Sequence, residues 1–185
     1  CNATSIIVDV EKETFGLDFE LVKKAIKKYK IFALQLVHVY GYPARDTEKI
    51  VKLCKKNKIK IIEDGSEALG ARIYNKRVGQ LGDVSVFSLR SEKMIGVGEG
   101  AMLCTNSKFL YQNLLLLASR NMPFRTSKHP YWKKYVSLGE GYNYLMSHVP
   151  AAIGCAQLDK INFIIKNKIR VGKIYQSLFS NEQLQ

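Results

Sequence analysis

Cysteine is scarce in this sequence. Its 4 cysteines in 185 residues lie far apart along the chain, at Cys1, Cys54, Cys104 and Cys155. Zinc sites usually place paired cysteines about two to four residues apart, and small secreted domains carry a dense disulfide framework. Neither pattern is present. We therefore predict no metal site and expect reduced cysteines, as in a cytoplasmic protein.

Long apolar runs are also lacking. The longest, such as 114–118, fall far short of the roughly 20 residues that a membrane-spanning helix needs, and no signal-peptide pattern is visible at the start. The sequence therefore predicts neither a membrane span nor a membrane partner. The chain starts at Cys1 rather than at a Met, and strand-like sequence follows within a few residues. We therefore expect it to be part of a longer protein.

Acidic residues are few beside basic ones, 16 against 29, which gives a net charge of +13. Most of the basic residues are lysines spread over predicted helix faces. Arginine is favoured for bidentate recognition of phosphates and bases, and here it is scarce. This favours a solvated lysine-rich surface over nucleic-acid binding. A polyanionic or nucleotide-bearing partner stays open.

What the sequence does contain is an alternation of strand-like and helix-like segments. The pattern predicts strands at 5–10, 31–39 and 59–63, with helices at 18–29 and 46–57 between them. This order is typical of an α/β fold, a mostly parallel sheet flanked by helices. Ligands of such sheets bind at the carboxyl ends of the strands, so the residues after Val39, Glu63 and Val86 are the ones to inspect.

The rest of the chain alternates less regularly. Further short strands are predicted at 71–74, 84–89 and 101–105, and a helix at 107–120. The irregular aromatic segment 121–144 is long for a simple connection and so is a possible functional loop. Helices are predicted again from near Val149 to about Phe179, with a bend near Leu158.

Two features of the sequence could take part in chemistry, judged from their residues alone. Glu63 and Asp64 end a hydrophobic strand, where a carboxylate can bind a cation, a ribose hydroxyl or a protonated ring nitrogen, or can cap the next turn. Lys93 follows another strand and precedes Gly96, Gly98 and Gly100. A buried lysine there can act as an amine nucleophile, although surface lysines are commoner. The glycines do not match the dinucleotide-binding pattern.

A series of short motifs runs in order along nearly the whole chain, through the helix around Ile174-Tyr175. They are Val8-Asp9-Val10, Val37-His38-Val39-Tyr40-Gly41 with Pro43, Glu63 to Gly70, Gly79 to Asp83, Phe87-Ser88, Lys93, Gly98-Glu99-Gly100, Thr105-Asn106, Gly141 to Tyr144, Ala151 to Gly154, and Gln157-Leu158. Together they resemble the DegT/DnrJ/EryC1/StrS family of pyridoxal-phosphate-dependent (nucleotide-)sugar aminotransferases.

The resemblance implies the large domain of the aspartate-aminotransferase (type I) fold. Residues 1–145 would form its cofactor-binding α/β part, with the N-terminal part missing. Residues 146–185 would be a helical segment leading to a missing small C-terminal domain. The family's phosphate-binding turn and ring-stacking aromatic would also lie upstream of residue 1.

The resemblance also implies roles for five residues. Lys93 would form the Schiff base with pyridoxal 5'-phosphate and later move the proton between substrate and cofactor. Asp64 would pair with the pyridine nitrogen. Glu67 would lie against the cofactor ring, and Ser88 would bind its phosphate. Asn143 would reach the cofactor phosphate of a neighbouring subunit, which makes a homodimer with shared active sites the expected assembly.

The implied reaction is transamination. An amino donor such as L-glutamate would convert the cofactor to pyridoxamine phosphate, which would then aminate a nucleotide-linked keto sugar, most often a 4-keto-6-deoxy sugar. Enzymes of this kind serve the biosynthesis of amino sugars and polysaccharides.

Some positions depart from the family pattern. Leu145 stands where the family usually has Arg, and His148 where an acidic residue is common, so a contact with a substrate carboxylate or phosphate is in question. A non-catalytic fragment or relative used for binding or assembly is the alternative. The retained Asp64, Ser88, Lys93 and Asn143 favour the enzyme. A related dehydratase branch has His in place of the lysine, and Lys93 argues against it.

Overall fold

The computed structural model describes residues 2–123, 128 and 130–179. In chain order its elements are α1 (Phe19–Lys28), β1 (Ala33–Val37), a 3-10 helix (Val39–Gly41), α2 (Thr47–Lys56), β2 (Lys60–Asp64), β3 (Arg72–Ile73), β4 (Lys76–Arg77), β5 (Val84–Ser88), β6 (Ala101–Cys104), α3 (Lys108–Ala118), a second 3-10 helix (Tyr131–Tyr135), α4 (His148–Leu158) and α5 (Ile161–Leu178).

Four strands form the main sheet in the order β1-β2-β5-β6. β1, β2 and β5 run parallel, and β6 is antiparallel to β5. The register pairs Val37 with Asp64 and Asp64 with Val86. The carboxyl ends of three strands therefore meet at one edge, and the predicted α/β fold with a mostly parallel sheet is confirmed.

The first two helices cover one face of the sheet because each carries an apolar stripe. Their core with β1 and β2 is made of buried aliphatic and thiol side chains, among them Val22, Leu36, Ile50, Cys54 and Ile61. Complete burial of each large aliphatic side chain contributes about 1.5–3 kcal/mol. The start of α1 is set by Asp18, whose side chain accepts a 2.9 Å hydrogen bond from Leu21 N, as the sequence predicts.

Of the strand predictions, the one at 5–10 is wrong and the one at 31–39 is too long. Residues 5–10 form no strand, and only Val10 makes an isolated bridge, with Leu17. A strand needs a neighbouring strand for its backbone N–H and C=O groups, and among the described residues this segment has only the Val10 bridge and the hydrogen bond from Asp18 N to Asp9 O at 3.2 Å. The run 31–39 contributes only the five residues of β1. Of the five residues of β1, only Leu36 is buried and Gln35 is exposed, so β1 is not the strand buried on both faces that its apolar sequence indicates.

The C-terminal elements match their predictions more closely. α3 begins after Ser107, whose hydroxyl caps Leu110 N at 3.2 Å. α4 and α5 are separated at Asp159 and Lys160, where the sequence predicts a bend. An apolar cluster of Leu89, Ile95 and Val97 packs against these helices. None of the helices in the described ranges has the length and apolarity to cross a membrane.

Candidate active site

The carboxyl edge of the sheet carries a cluster of polar side chains. Asp64 ends β2, and its Oδ2 accepts a hydrogen bond of 3.3 Å from Gln35 Nε2 of β1. Its Oδ1 accepts one of 3.1 Å from Ser66 N, the second residue of the following turn. Both contacts hold the carboxylate at the end of the strand, and the side chain remains half-buried.

Lys93 reaches the same edge from the loop between β5 and β6. Its Nζ lies 3.0 Å from Glu67 Oε1, and its side chain is 19% exposed. The other Glu67 oxygen accepts a 3.0 Å hydrogen bond from Tyr40 N. The turn after β1 therefore supplies a backbone donor to the carboxylate that pairs with the lysine.

The charges of this cluster act on one another. The hydrogen bond from Lys93, followed by that from Tyr40 N, lowers the pKa of Glu67 below its ordinary value, while the negative charge of Asp64 acts in the opposite direction. Asp64 ends β2, and Glu67 follows it in the next turn of the chain. The structure thus brings together three of the five predicted site residues: Asp64, Glu67 and Lys93.

The backbone after β1 adopts an uncommon conformation. Tyr40 has φ 51 and ψ 28, in the left-handed region that residues with a side chain rarely occupy. Gly41 follows with φ +85, and a Cβ on it would lie 3.3 Å from Glu67 O. The left-handed turn aims Tyr40 N at the Glu67 carboxylate. Such strain is often found at functional sites.

Comparison with known proteins places this geometry in context. Residues 1–185 match the DegT/DnrJ/EryC1/StrS aminotransferase family. The chain belongs to this family. It is 37% identical over 174 residues to a GDP-perosamine synthase of Escherichia coli O157:H7, covering 94% of this chain and 45% of that protein. It is 36% identical over 185 residues to the GDP-perosamine synthase of Vibrio cholerae, covering 100% and 48%.

A solved structure also resembles this member of the family. It is Helicobacter pylori PseC, an aminotransferase involved in the biosynthesis of pseudoaminic acid, with a TM-score of 0.84, 27% identity, and coverage of 96% of this chain and 46% of PseC. The chain spans about half the length of the curated relatives it matches. The fold is therefore that of family aminotransferases, and the family assignment drawn from the motifs is confirmed.

Within this family member, Ser88 and Asn143 have different settings. Ser88 ends β5 at the same edge as Asp64, and its Oγ accepts from Arg90 N at 3.4 Å. Asn143 is exposed and forms an isolated antiparallel bridge with Ser119, just after α3. Within the described ranges it makes no hydrogen bond or ion pair with the other four site residues.

Two positions where the sequence departs from the family pattern are also solvent-accessible. Leu145 is 46% exposed, and His148 is an exposed residue at the start of α4. Neither can supply the guanidinium contact of an Arg at position 145.

The sequence did not distinguish the two carboxylates that end β2. Glu63 is fully buried, unlike Asp64. Its Oε1 accepts from His38 Nε2 at 3.1 Å and from Gly79 N at 2.7 Å. Its Oε2 accepts from Leu81 N at 2.9 Å and from Gly82 N at 3.1 Å. The available signal was the alternation along the strand, because the buried Ile59 and Ile61 precede Glu63 at alternate positions and so share its face.

His38 is the partner that the sequence reasoning missed. It is 1% exposed, and its Nδ1 accepts a 3.1 Å hydrogen bond from Ala44 N. A backbone N–H can only donate, so the ring proton lies on Nε2 and is donated to Glu63. Burial raises the pKa of Glu63, but the bonds from His38 and the three backbone N–H groups lower it by more, so the net direction is downward. The pair joins the end of β1 to the end of β2 beneath the site.

Proposed function

We propose that the protein is a pyridoxal-phosphate-dependent aminotransferase acting on a nucleotide-linked keto sugar. The supporting observation is the placement of Lys93 Nζ 3.0 Å from Glu67, at the sheet edge where Asp64 ends β2. A lysine amine, a carboxylate at a strand end and a nearby hydroxyl are the groups that this cofactor requires.

The chemistry of the donor set fits the cofactor. Lys93 provides an amine for its aldehyde, Asp64 an anionic acceptor for its ring nitrogen, and Ser88 a hydroxyl for its phosphate. Glu67 accepts only one of the three protons of the Lys93 ammonium, and Asp64 Oδ2 has one long hydrogen bond, from Gln35 at 3.3 Å. When bound, pyridoxal phosphate supplies an electron-accepting ring that stabilises negative charge on the substrate carbon.

The residues of the chain then have distinct tasks. Asp64 keeps the ring nitrogen protonated because a nearby negative charge favours the charged form of a base. Within each half of the reaction, Lys93 Nζ would take a proton from either the substrate carbon or the cofactor and deliver it to the other. Glu67 holds the lysine side chain in place. Asn143, exposed on the surface, serves the cofactor phosphate of a second subunit in a homodimer.

The substrate proposal rests on the relatives. Two of them, 37% and 36% identical to this chain, are GDP-perosamine synthases. We therefore propose a nucleotide-linked 4-keto-6-deoxy sugar as substrate, with GDP as the first nucleotide to test and L-glutamate as amino donor. The net charge of +13 suits an anionic diphosphate. In this proposal residues 1–145 belong to the cofactor-binding part and 146–185 to a helical segment toward a further domain, although 180–185 lie outside the residues that the structure describes. The proposed location of the enzyme is the cytoplasm.

The test is optical. The intact protein is mixed with pyridoxal phosphate, scanned for a yellow absorbance band, and then given glutamate. We expect a band that bleaches with glutamate and is absent in Lys93→Ala. Lys60→Ala is the matched control, because Lys60 is a surface lysine paired with Asp83 at 2.9 Å, and its band should equal that of the wild type.

Two outcomes would contradict the proposal. A band that persists in Lys93→Ala places the cofactor on another amine. A wild-type protein without a band, or with one that glutamate leaves unchanged, supports the non-catalytic alternative, a family member used for binding or assembly.

A further inference from the structure

Gln157, from the Gln157-Leu158 motif, has no role in the proposed function. Its side chain on α4 makes two hydrogen bonds to one residue of the loop that carries Lys93. Gly96 N donates to Gln157 Oε1 at 3.2 Å, and Gln157 Nε2 donates to Gly96 O at 2.7 Å. A carboxamide is the side chain that offers an acceptor and a donor side by side.

The loop is closed on itself and has its tip near Lys93. Leu89 N donates to Gly100 O at 2.9 Å, Ser91 N to Gly98 O at 3.0 Å, and Val97 N to Leu89 O at 2.9 Å. At the tip, Lys93 N donates to Arg90 O at 2.9 Å. These bonds set the shape of the loop, but they do not attach it to the rest of the protein.

The backbone of the loop is crowded at Gly96. A Cβ on Gly96 would lie 2.6 Å from Ser91 O, closer than any side chain can approach. Only glycine therefore allows the backbone to fold back here, and its N–H and C=O both turn toward α4. Gln157 accepts the first and donates to the second.

The contact with α4 is completed by apolar packing on both sides of Gly96. Ile95 is fully buried and Val97 is 9% exposed, and both pack in the cluster that includes Leu158 and Ile161. A Cβ on Gly154 of α4 would lie 3.3 Å from Val97 Cγ1. The apolar contacts hold the loop against α4. The hydrogen bonds of Gln157 are directional, so they fix the position of the loop along the helix.

We propose that Gln157 is a positioning residue that sets Lys93 at the distance from Glu67 and Asp64 at which its amine reacts. The inference rests on the proposed function, because the role of Lys93 does. Loss of the two hydrogen bonds lets the tip of the loop shift along α4. Misplacement of a reacting group by about 1 Å can slow a reaction by about a hundredfold.

The test compares Gln157→Met with the wild type and with Gln112→Met. Methionine keeps the length of the side chain and removes both hydrogen bonds, and Gln112 is an exposed glutamine on α3. The intact protein is treated with pyridoxal phosphate and borohydride, and the labelling rate at Lys93 is measured by peptide mass spectrometry relative to the surface residue Lys60. Hydrogen exchange of the amides at 94–97 is measured without the cofactor.

We expect Gln157→Met to slow labelling at Lys93 about tenfold or more, with Lys60 labelled as before and Gly96 exchanging faster. Gln112→Met should match the wild type in both measurements. A role in helix stability alone would change the unfolding midpoint without changing the Lys93 to Lys60 ratio in the folded protein. If Gln157→Met does not fold, Gln157→Glu replaces it, since it retains the acceptor for Gly96 N and loses the donor to Gly96 O.

A failure of the proposed function can be distinguished from a failure of the inference about Gln157. If wild-type Lys93 labels no faster than Lys60, the proposed function fails, and the inference with it. If Lys93 labels selectively in the wild type and equally fast in the folded Gln157 variants, or if Gly96 exchange is unchanged, the inference about Gln157 is wrong and the proposed function stands.

Discussion

Replacing the buried Glu63 with Gln tests the support beneath the site. The four donors around this side chain are His38 Nε2 and Gly79 N on Oε1, and Leu81 N and Gly82 N on Oε2. A glutamine puts an NH2 group in place of one oxygen. Whichever end that group occupies, two donors then face a donor. His38 cannot adapt by moving its proton, because its Nδ1 already accepts from Ala44 N.

The magnitude follows from these contacts. Each buried donor without an acceptor costs about 1–3 kcal/mol, so two cost about 2–6 kcal/mol. Removing a buried charge offsets part of this. We expect Glu63→Gln to lower the free energy of unfolding by about 3 kcal/mol, a large share of the roughly 5–15 kcal/mol that holds a typical domain together.

The assay is urea denaturation of the intact protein at several pH values. The folded pKa of Glu63 lies below its ordinary value of 4.5. The ionised carboxylate therefore stabilises the fold above about pH 4.5, and this contribution is lost as the pH falls from there through the lowered folded pKa. The difference between wild type and Glu63→Gln should shrink over that range, since the variant lacks this titration.

The matched control is Glu20→Gln on the exposed surface of α1, where the side chain is 62% exposed and pairs with Lys23. An exposed ion pair of this kind contributes about 0.2–1 kcal/mol, so the control should lose little. The reasoning about Glu63 is refuted if its replacement costs no more than that of Glu20. It is also refuted if the difference from wild type stays constant on acidification.

Three further substitutions test other parts of the structure. Asp18→Ala removes the cap on Leu21 N and should cost about 1 kcal/mol of unfolding free energy in urea; no change would contradict the capping contact. Gly65→Ala would place a Cβ 2.7 Å from Phe87 Cε1, so we expect a loss of about 1–3 kcal/mol, and a stabilised variant would refute that packing. Lys60→Met removes a surface ion pair with Asp83 and should lower the free energy of unfolding by less than about 1 kcal/mol in low salt. The loss should be smaller still in high salt, which screens the pair; a larger loss that does not depend on salt would contradict this.

The elements that depend on local sequence were predicted well. α1 and α2 follow from apolar residues at helical spacing, with Asp18 as cap. β2 and β5 follow from short β-branched runs. These preferences act between neighbours in the chain, so they can be read without the fold. The segment 5–10 has the same composition but forms only an isolated bridge, between Val10 and Leu17, and composition cannot show whether a neighbouring strand exists.

The candidate site divides in a similar way. The series of short motifs along the chain was sufficient to identify the family, and the strand pattern predicted that the residues after Glu63 and Val86 lie at the carboxyl end of a parallel sheet. The pairing of Lys93 with Glu67, and the Tyr40 N–H that completes it, span 26 residues or more in sequence. No periodicity records a contact over that separation.

The sequence alone determined the type of most elements, the family, and the residues that bear chemical groups, because side-chain chemistry and local spacing depend on residues close together in the chain. Only the tertiary structure decided which of two adjacent carboxylates is buried. Successive side chains of a strand point to opposite faces, so Glu63 turns toward His38 in the interior while Asp64 remains at the accessible edge. The same holds for Gln157, whose partner Gly96 lies 61 residues away and becomes its neighbour only when α4 packs on the lysine loop.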